Sequence, residues 1–289
     1  MIANHAARGI VYMCLAVGLF PFLNAAVKLL GETYAVQQVL WVRYLGHFFL
    51  MLIIFLPFQG RALFRTQNLG AQLLRSLLLL GSTTSYFVAL NYLPLTTAAS
   101  ISFTSPFIVT ALSVPLLGER VGPRRWTAVA IGFTGALIII RPAGASFHGA
   151  ELFVIASATF YSFYQIMTRR LVGQDSPVTT IIYTAVFGAL LTSLVGPFYW
   201  VTPDEPLNWL LFAATGVFGG LGHLCVVKAF QWAEVSVISP FVYLQLVGAV
   251  ILGFFIFGEF PDLWTWVGSA IIVACGAYIT YRETVVTRA

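Results

Sequence analysis

Apolar residues fill this chain in blocks of about twenty, each closed by a short polar or charged cluster. A membrane-crossing helix needs ~20 apolar residues, because ~1.5 Å of rise each must cover a hydrocarbon core of ~30 Å. Ten blocks meet that need: residues 10–30, 36–57, 72–92, 96–117, 125–141, 150–170, 178–200, 208–231, 236–257 and 264–281, here spans 1–10. Strict two-residue alternation is missing from them, so a β-barrel is not expected. The pattern predicts an all-α integral membrane protein of ten transmembrane helices, with links too short for a soluble domain.

Composition agrees. The 289 residues are 59% hydrophobic and 9% charged, against about 25% charged in a soluble domain. The net charge of +5 is not gathered into a nucleic-acid footprint, so no nucleic-acid partner is expected. It sorts instead by loop. Counted from a cytoplasmic N-terminus, one side holds Arg8, Arg61, Arg65, Arg120, Arg124, Arg125, Arg169, Arg170, Arg282 and Arg288. The other holds Arg141, with Lys28 near the end of span 1. Positive loops stay inside, so both termini are expected in the cytoplasm, in a bacterial inner membrane. Span 1 has no clear cleavage site after it and is read as a retained helix. Cys14, Cys225 and Cys275 form neither a zinc motif nor a disulfide framework. No cofactor or metal is expected.

The chain also repeats itself. Shifted by 140 positions, Ala89 falls on Ala229, Thr96 on Ser236, Gly118 and Glu119 on Gly258 and Glu259, and Trp126 on Trp266. Shifted by 142, KLLGE (28–32) falls on RLVGQ (170–174). Two five-helix repeats are predicted, over residues 1–145 and 146–289. Five is odd, so the second repeat enters the membrane from the opposite side, as an inverted repeat. Gly118 and Gly258 suit helix ends. Glu119 and Glu259 are then expected to cap a neighbouring helix start or pair with a base; a coupling or gating role is the alternative.

The stretches LRSLLLLGSTTSYFVALNYLPLTTAASISFTSPFIVTALSVPLLGERV (74–121) and KAFQWAEVSVISPFVYLQLVGAVILGFFIFGEFPD (228–262) resemble the EamA family of the drug/metabolite transporter superfamily. The similarity is closest to the bacterial branch that contains S-adenosylmethionine and riboflavin carriers, and it runs over essentially the whole chain. It implies a central cavity lined by spans 1, 3, 4, 6, 8 and 9, and alternating access by movement of one repeat against the other. One departure matters. Members of that branch often carry an Asp four residues before the base that ends span 1, and again in span 6; here the residues are Asn24 and Gln165. An amide keeps the hydrogen bonds but carries neither proton nor charge, so a carboxylate-based coupling mechanism does not transfer.

Polar groups inside spans are the functional candidates. Arg43 suits bidentate recognition of a carboxylate or phosphate, or else serves as a structural partner to backbone carbonyls. His223 and Lys228 are the charged or titratable candidates of span 8, and His223 is equally readable as a packing residue. Arg75 and Glu151, near helix starts, are expected to reach water. The polar lining candidates are Ser82, Tyr86, Ser105, Tyr161, Tyr164, Gln165, Tyr243 and Gln245. Tyr and Gln carry polar tips that need partners, and with aromatic faces they suit a polar or zwitterionic metabolite with a planar part. Pro21, Pro106 and Pro240 fall inside spans 1, 4 and 9, as hinges or packing kinks.

The expected function is a secondary transporter of a small polar or zwitterionic metabolite (S-adenosylmethionine, an amino acid or a riboflavin-like compound). Multidrug or toxic-compound export is the alternative, though such exporters use a glutamate in the first helix and span 1 has none. An integral-membrane enzyme ranks lower: no H-E-x-x-H, G-x-S-x-G or mid-span aspartate pair is present. Membrane lipid is the other partner. One chain holds both repeats, so a monomer suffices, and a homodimer is equally compatible.

Overall fold

In a computed structural model, described over residues 2–118, 121–141, 149–171, 174–232 and 241–286, the described parts of the spans are mostly helical. Helices run as α1 (Ile2–Gly31), α2 (Val36–Gln59), α3 (Leu69–Leu90), α4 (Leu95–Ser102), α5 (Ser105–Leu117) and α6 (Pro123–Ile140). They continue as α7 (Ala150–Leu171), α8 (Pro177–Ser193), α9 (Pro206–Trp232), α10 (Leu244–Phe257) and α11 (Leu263–Val286). No strand occurs among the described residues. Glu119 and Pro240 lie outside them.

Two expected spans are corrected. Span 4 is two helices, α4 and α5, separated at Phe103 and Thr104. The chain does not unwind there; it tightens, with Phe103 N–H donating to Ser100 O at 3.2 Å and Thr104 N–H to Ile101 O at 3.0 Å. Pro106 follows at the start of α5, where its missing N–H costs nothing. Span 7 stops at Ser193, because Gly196 and Pro197 turn the chain into a 3-10 segment, Gly196–Tyr199. Pro21, by contrast, leaves α1 continuous. It packs on α10: a Cβ at Gly248 would stand 2.6 Å from Pro21 Cγ.

Among the described residues, five helical stretches are long and apolar enough to cross a membrane: Ala7–Gly31, Val36–Phe64, Leu69–Leu90, Leu95–Leu116 and Pro206–Ala229. Four apolar helices are shorter, among them Trp126–Ile140 and Leu244–Phe257. Helix α7 is long but belongs to neither group, because polar residues from Ser157 to Thr168 face the interior, where other helices supply their partners.

The halves of the chain interleave. Helix α1 packs along α9, α3 along α7, α6 along α11, and α2 against α8 and α9. Small residues permit the closest crossings. A Cβ at Gly216 would meet Gly46 Cα at 2.8 Å, and one at Gly268 would meet Gly135 O at 2.5 Å. Gly118 and Gly258 both end their helices in the left-handed region, at φ 70° and 65°.

Polar ties join the halves at each end of the bundle. At one end Lys28 pairs with Glu259 and donates to Leu93 O at 2.9 Å, while Glu259 accepts from Leu95 N–H at 3.2 Å. Glu259 thus caps the start of α4. Arg141 pairs with Asp262 at 2.7 Å beside it. At the other end Asp175 accepts from Thr66 Oγ1 at 2.5 Å, Gln72 Nε2 at 2.8 Å and Gln67 N–H at 2.9 Å. Arg75 corrects the expectation that it reaches water: it is buried. It donates to Thr168 and Thr184 at 2.8 Å, Tyr164 at 3.0 Å and Thr180 O at 3.1 Å. Glu151 is buried as well, with Oε2 unpartnered among the described residues.

Gly268→Ala should lower thermal stability in detergent by ~1–3 kcal/mol, because the backbone at Gly135 cannot yield. Gly70→Ala, with nothing within 4 Å of the new Cβ, should be neutral or slightly stabilising. Equal losses in the two variants would refute the close α6–α11 crossing.

Burial alone would raise the Asp175 carboxyl, but the hydrogen bonds from Thr66, Gln72 and the Gln67 N–H outweigh it and hold it below the usual carboxylate range. The stabilisation is therefore present above the unfolded value, about 3.9, and is lost as pH falls through the lower folded value. Asp175→Asn should cost roughly 1 kcal/mol at pH 7, a modest figure because solvent screens the site. Thermal unfolding of both proteins from pH 7 down to pH 3 should show the gap closing only at the acid end.

Candidate functional site

The centre of the bundle encloses a cavity of about 320 Å³, within the range of small-molecule sites, ~300–1,000 Å³. Its wall comes from α1, α2, α3, α4, α5, α7, α9, α10 and α11, so both halves of the chain build it.

On the wall from α3 to α7, serines tie neighbouring helices together. Ser82 and Ser157 hydroxyls lie 3.0 Å apart, as do those of Ser105 and Ser162. Gln165 Nε2 donates to Ser105 Oγ at 3.3 Å, which holds the amide against the wall. Tyr161 and Tyr164 are stacked at 5.4 Å. Tyr161 faces the cavity, but Tyr164 does not line it; its hydroxyl accepts from Arg75 and its ring lies 4.6 Å from the guanidinium carbon.

On the opposite wall, Tyr243 meets Phe103 edge to face at 5.0 Å. These two residues interrupt their spans and stand 140 positions apart in the chain. Tyr243 aims its hydroxyl at α11, where Gly276 leaves room for it; a Cβ there would stand 1.5 Å from the oxygen. Gln245 lies beside it on the wall. Asn24, from α1, is buried on the wall.

The third part of the wall is cationic. Arg43 lines it with 2% of its surface exposed. Tyr44 and Phe87 rings lie 4.6 and 5.6 Å from the guanidinium carbon. His223 lines it too, stacked on His47 at 6.1 Å and 8°, with Phe20 edge-on at 5.4 Å.

Of the sequence candidates, the cavity thus gathers Asn24, Arg43, Ser82, Tyr86, Ser105, Tyr161, Gln165, His223, Tyr243 and Gln245, together with Pro106. It leaves out Tyr164 and Lys228. Lys228 lies two residues past Val226, the last α9 residue on the wall. Sequence reasoning missed Phe20, Phe103 and Ser157, and the α11 residues Gly276 and Ile279. Ser157 was findable, since it stands four residues before Tyr161 on one helical face. The phenylalanines were not, because an apolar residue in an apolar span carries no signal of its facing.

Comparison with known proteins agrees with this architecture. The description "EamA-like transporter family" matches twice, over residues 7–141 and 148–282. A riboflavin transporter of Vibrio cholerae is 30% identical over 288 residues, covering 98% of this chain and 96% of its own. An S-adenosylmethionine uptake transporter of Rickettsia conorii is 32% identical over 239 residues, covering 82% of this chain and 81% of its own. A crystal structure 18% identical in sequence superposes with a TM-score of 0.63, covering 96% of this chain and 99% of its own, which bears on the fold alone. With two tandem matches to one family over nearly its full length, the chain is a multi-pass bacterial membrane protein and belongs to the EamA-like transporter family.

Proposed function

We propose that this protein is a secondary carrier that moves a small polar or zwitterionic metabolite by alternating access. S-adenosylmethionine, an amino acid or a riboflavin-like compound fits the chemistry of the site. The single observation that carries the reading is the cavity of about 320 Å³ between the halves, walled by aromatic faces, amides and hydroxyls. An aromatic face takes a planar group; Asn24, Gln165 and Gln245 take its polar edge. The transporter names of the similar proteins support the class and offer the substrates to try.

The inverted repeat is part of the proposal, and the packing supports it. Exchanging the halves turns α1 against α9 into α7 against α3, and α1 against α10 into α7 against α5; all four contacts are present. The pairing of Phe103 with Tyr243 then lies near the pseudo-two-fold axis. In such a carrier the Lys28–Glu259 pair closes one end of the cavity, and the opposite end opens when that pair holds. The loop charges support a bacterial inner-membrane carrier with both termini in the cytoplasm. The site residues of this proposal are Asn24, Ser82, Tyr86, Ser105, Tyr161, Gln165, Tyr243 and Gln245.

Tracer counterflow in proteoliposomes tests it. With S-adenosylmethionine, riboflavin and the amino acids as the panel, saturable exchange of at least one compound is expected. Exchange should not need a pH gradient, because Asn24 and Gln165 carry no proton. Gln165→Ala and Tyr243→Ala should each weaken binding by about tenfold or more, on the scale of one buried hydrogen bond or aromatic contact, while the purified proteins stay monodisperse. Unchanged affinity in both variants would sink the site assignment, and gradient-driven accumulation would sink the uncoupled mechanism.

A further inference from the structure

The cavity holds a buried cation that has no counter-charge among the described residues. Arg43 comes from α2, which reaches α9 closely because Gly46 and Gly216 meet without side chains. That approach sets the guanidinium beside Gly219, where a Cβ would stand 3.3 Å from Arg43 Nε. Tyr44 and Phe87 cover its neighbourhood with aromatic carbon. Nε and Nη1 are shut from solvent and have no hydrogen-bond partner among the described residues. Among the described residues no aspartate or glutamate lines the cavity; its ionisable wall residues there are Arg43, His223 and tyrosines.

The contrast with Arg75 is decisive. Arg75 is as deeply buried, and hydroxyl or carbonyl oxygens of Thr168, Tyr164, Thr180 and Thr184 take its donors. A structural arginine in this bundle is therefore fully served by its neighbours. Arg43 is not, and it faces the cavity rather than a helix contact. Next to it His47, four residues on and so on the same face of α2, leaves both ring nitrogens without a partner among the described residues. His223 is stacked on His47 and borders the cavity. A neutral imidazole offers one N–H donor, so this corner presents a fixed cation flanked by further donors in a low-dielectric setting.

We propose that this corner binds an oxyanion of the substrate, with Arg43 as the anchor and His223 as a second donor. The substrate class is a planar metabolite that carries an oxyanion: a carboxylate or phosphate meets Arg43, and its planar part lies between Tyr161 on one wall and Tyr243 and Phe103 on the opposite one. A planar guanidinium suits either oxyanion, because both present paired oxygens to its edge. The inference rests on the carrier reading and deepens it by requiring a charge that the amide and aromatic walls do not.

Matched pairs of probes test it on the purified protein in detergent, by ligand-induced thermal stabilisation and direct binding. One pair is S-adenosylmethionine and its carboxyl methyl ester, which isolates a carboxylate; the other is riboflavin 5′-phosphate and riboflavin, which isolates a phosphate. In the wild type the acid of one pair should bind about tenfold or more tighter than the partner that lacks the oxyanion, as a charge-assisted pair does. Arg43→Gln should erase that preference, and Arg43→Lys should keep part of it. The wild-type comparison decides the matter even where a variant does not fold. Equal binding of the acid and the partner lacking the oxyanion in both pairs, no binding by either acid, or unchanged acid preference in folded Arg43→Gln would overturn the inference. Counterflow separates the two readings: saturable exchange of neutral compounds alone leaves the carrier standing and removes the anion site, whereas exchange of nothing removes both.

Discussion

A lipid bilayer supplies no hydrogen-bond partner, so every polar group inside a span must find one within the protein. The bundle is organised around that constraint. Three serine pairs bridge helices at 2.7–3.0 Å: Ser82 with Ser157, Ser105 with Ser162, and Ser100 with Ser269. Each joins the first half of the chain to the second. Arg75 obeys the same rule with four oxygens drawn from α7 and α8. The large apolar side chains that have no such need, Phe58, Leu210 and Phe255 among them, lie exposed on the outside, where a bilayer would cover them.

The two ends of the bundle meet the constraint with different chemistry. One end uses opposite charges, Lys28 with Glu259 and Arg141 with Asp262. The other gathers neutral donors around a single carboxylate, Asp175, above the buried Arg75. Ion pairs at the rim of a membrane are easily rehydrated, whereas a desolvated guanidinium with four partners is not. In the proposed carrier cycle the charged end is thus the cheaper one to part. In the middle, Arg43 and His47 keep buried nitrogens with no partner among the described residues, which is where a substrate would supply what the protein leaves out.

Much of the fold was legible because hydropathy and loop charge are read along the chain, one residue at a time. The boundaries that failed were set by contacts. The tightened turn at Phe103 has a proline two residues after Thr104, but its counterpart at Tyr243 has Leu246 in the place of Pro106. There Leu246 N–H donates to Tyr243 O at 3.0 Å, a bond that Pro106 cannot make, so the halves break at matching positions with different local bonding. Within the site, Gln165, Tyr161 and Gln245 stood out as polar residues in apolar runs. Tyr164 stood out equally, but between the wall residues Tyr161 and Gln165 it turns to another face of α7, where Arg75 holds its hydroxyl. Lys228 carried a charge that hydropathy marks wherever it points.

By itself the sequence determined that this is a helical membrane protein built twice over, because apolar block length, basic loops and a repeat near 140 positions are properties of residue order alone. The tertiary structure decided which polar groups are spent on structure and which are left facing the cavity. Arg43 and Arg75 are alike in a list of residues: both are single arginines within a turn or two of a helix start. Helix rotation and glycine-permitted approach give one a shell of oxygens and the other an aromatic shelf beside empty space. That difference depends on neighbours far away in the chain, and no local pattern records it.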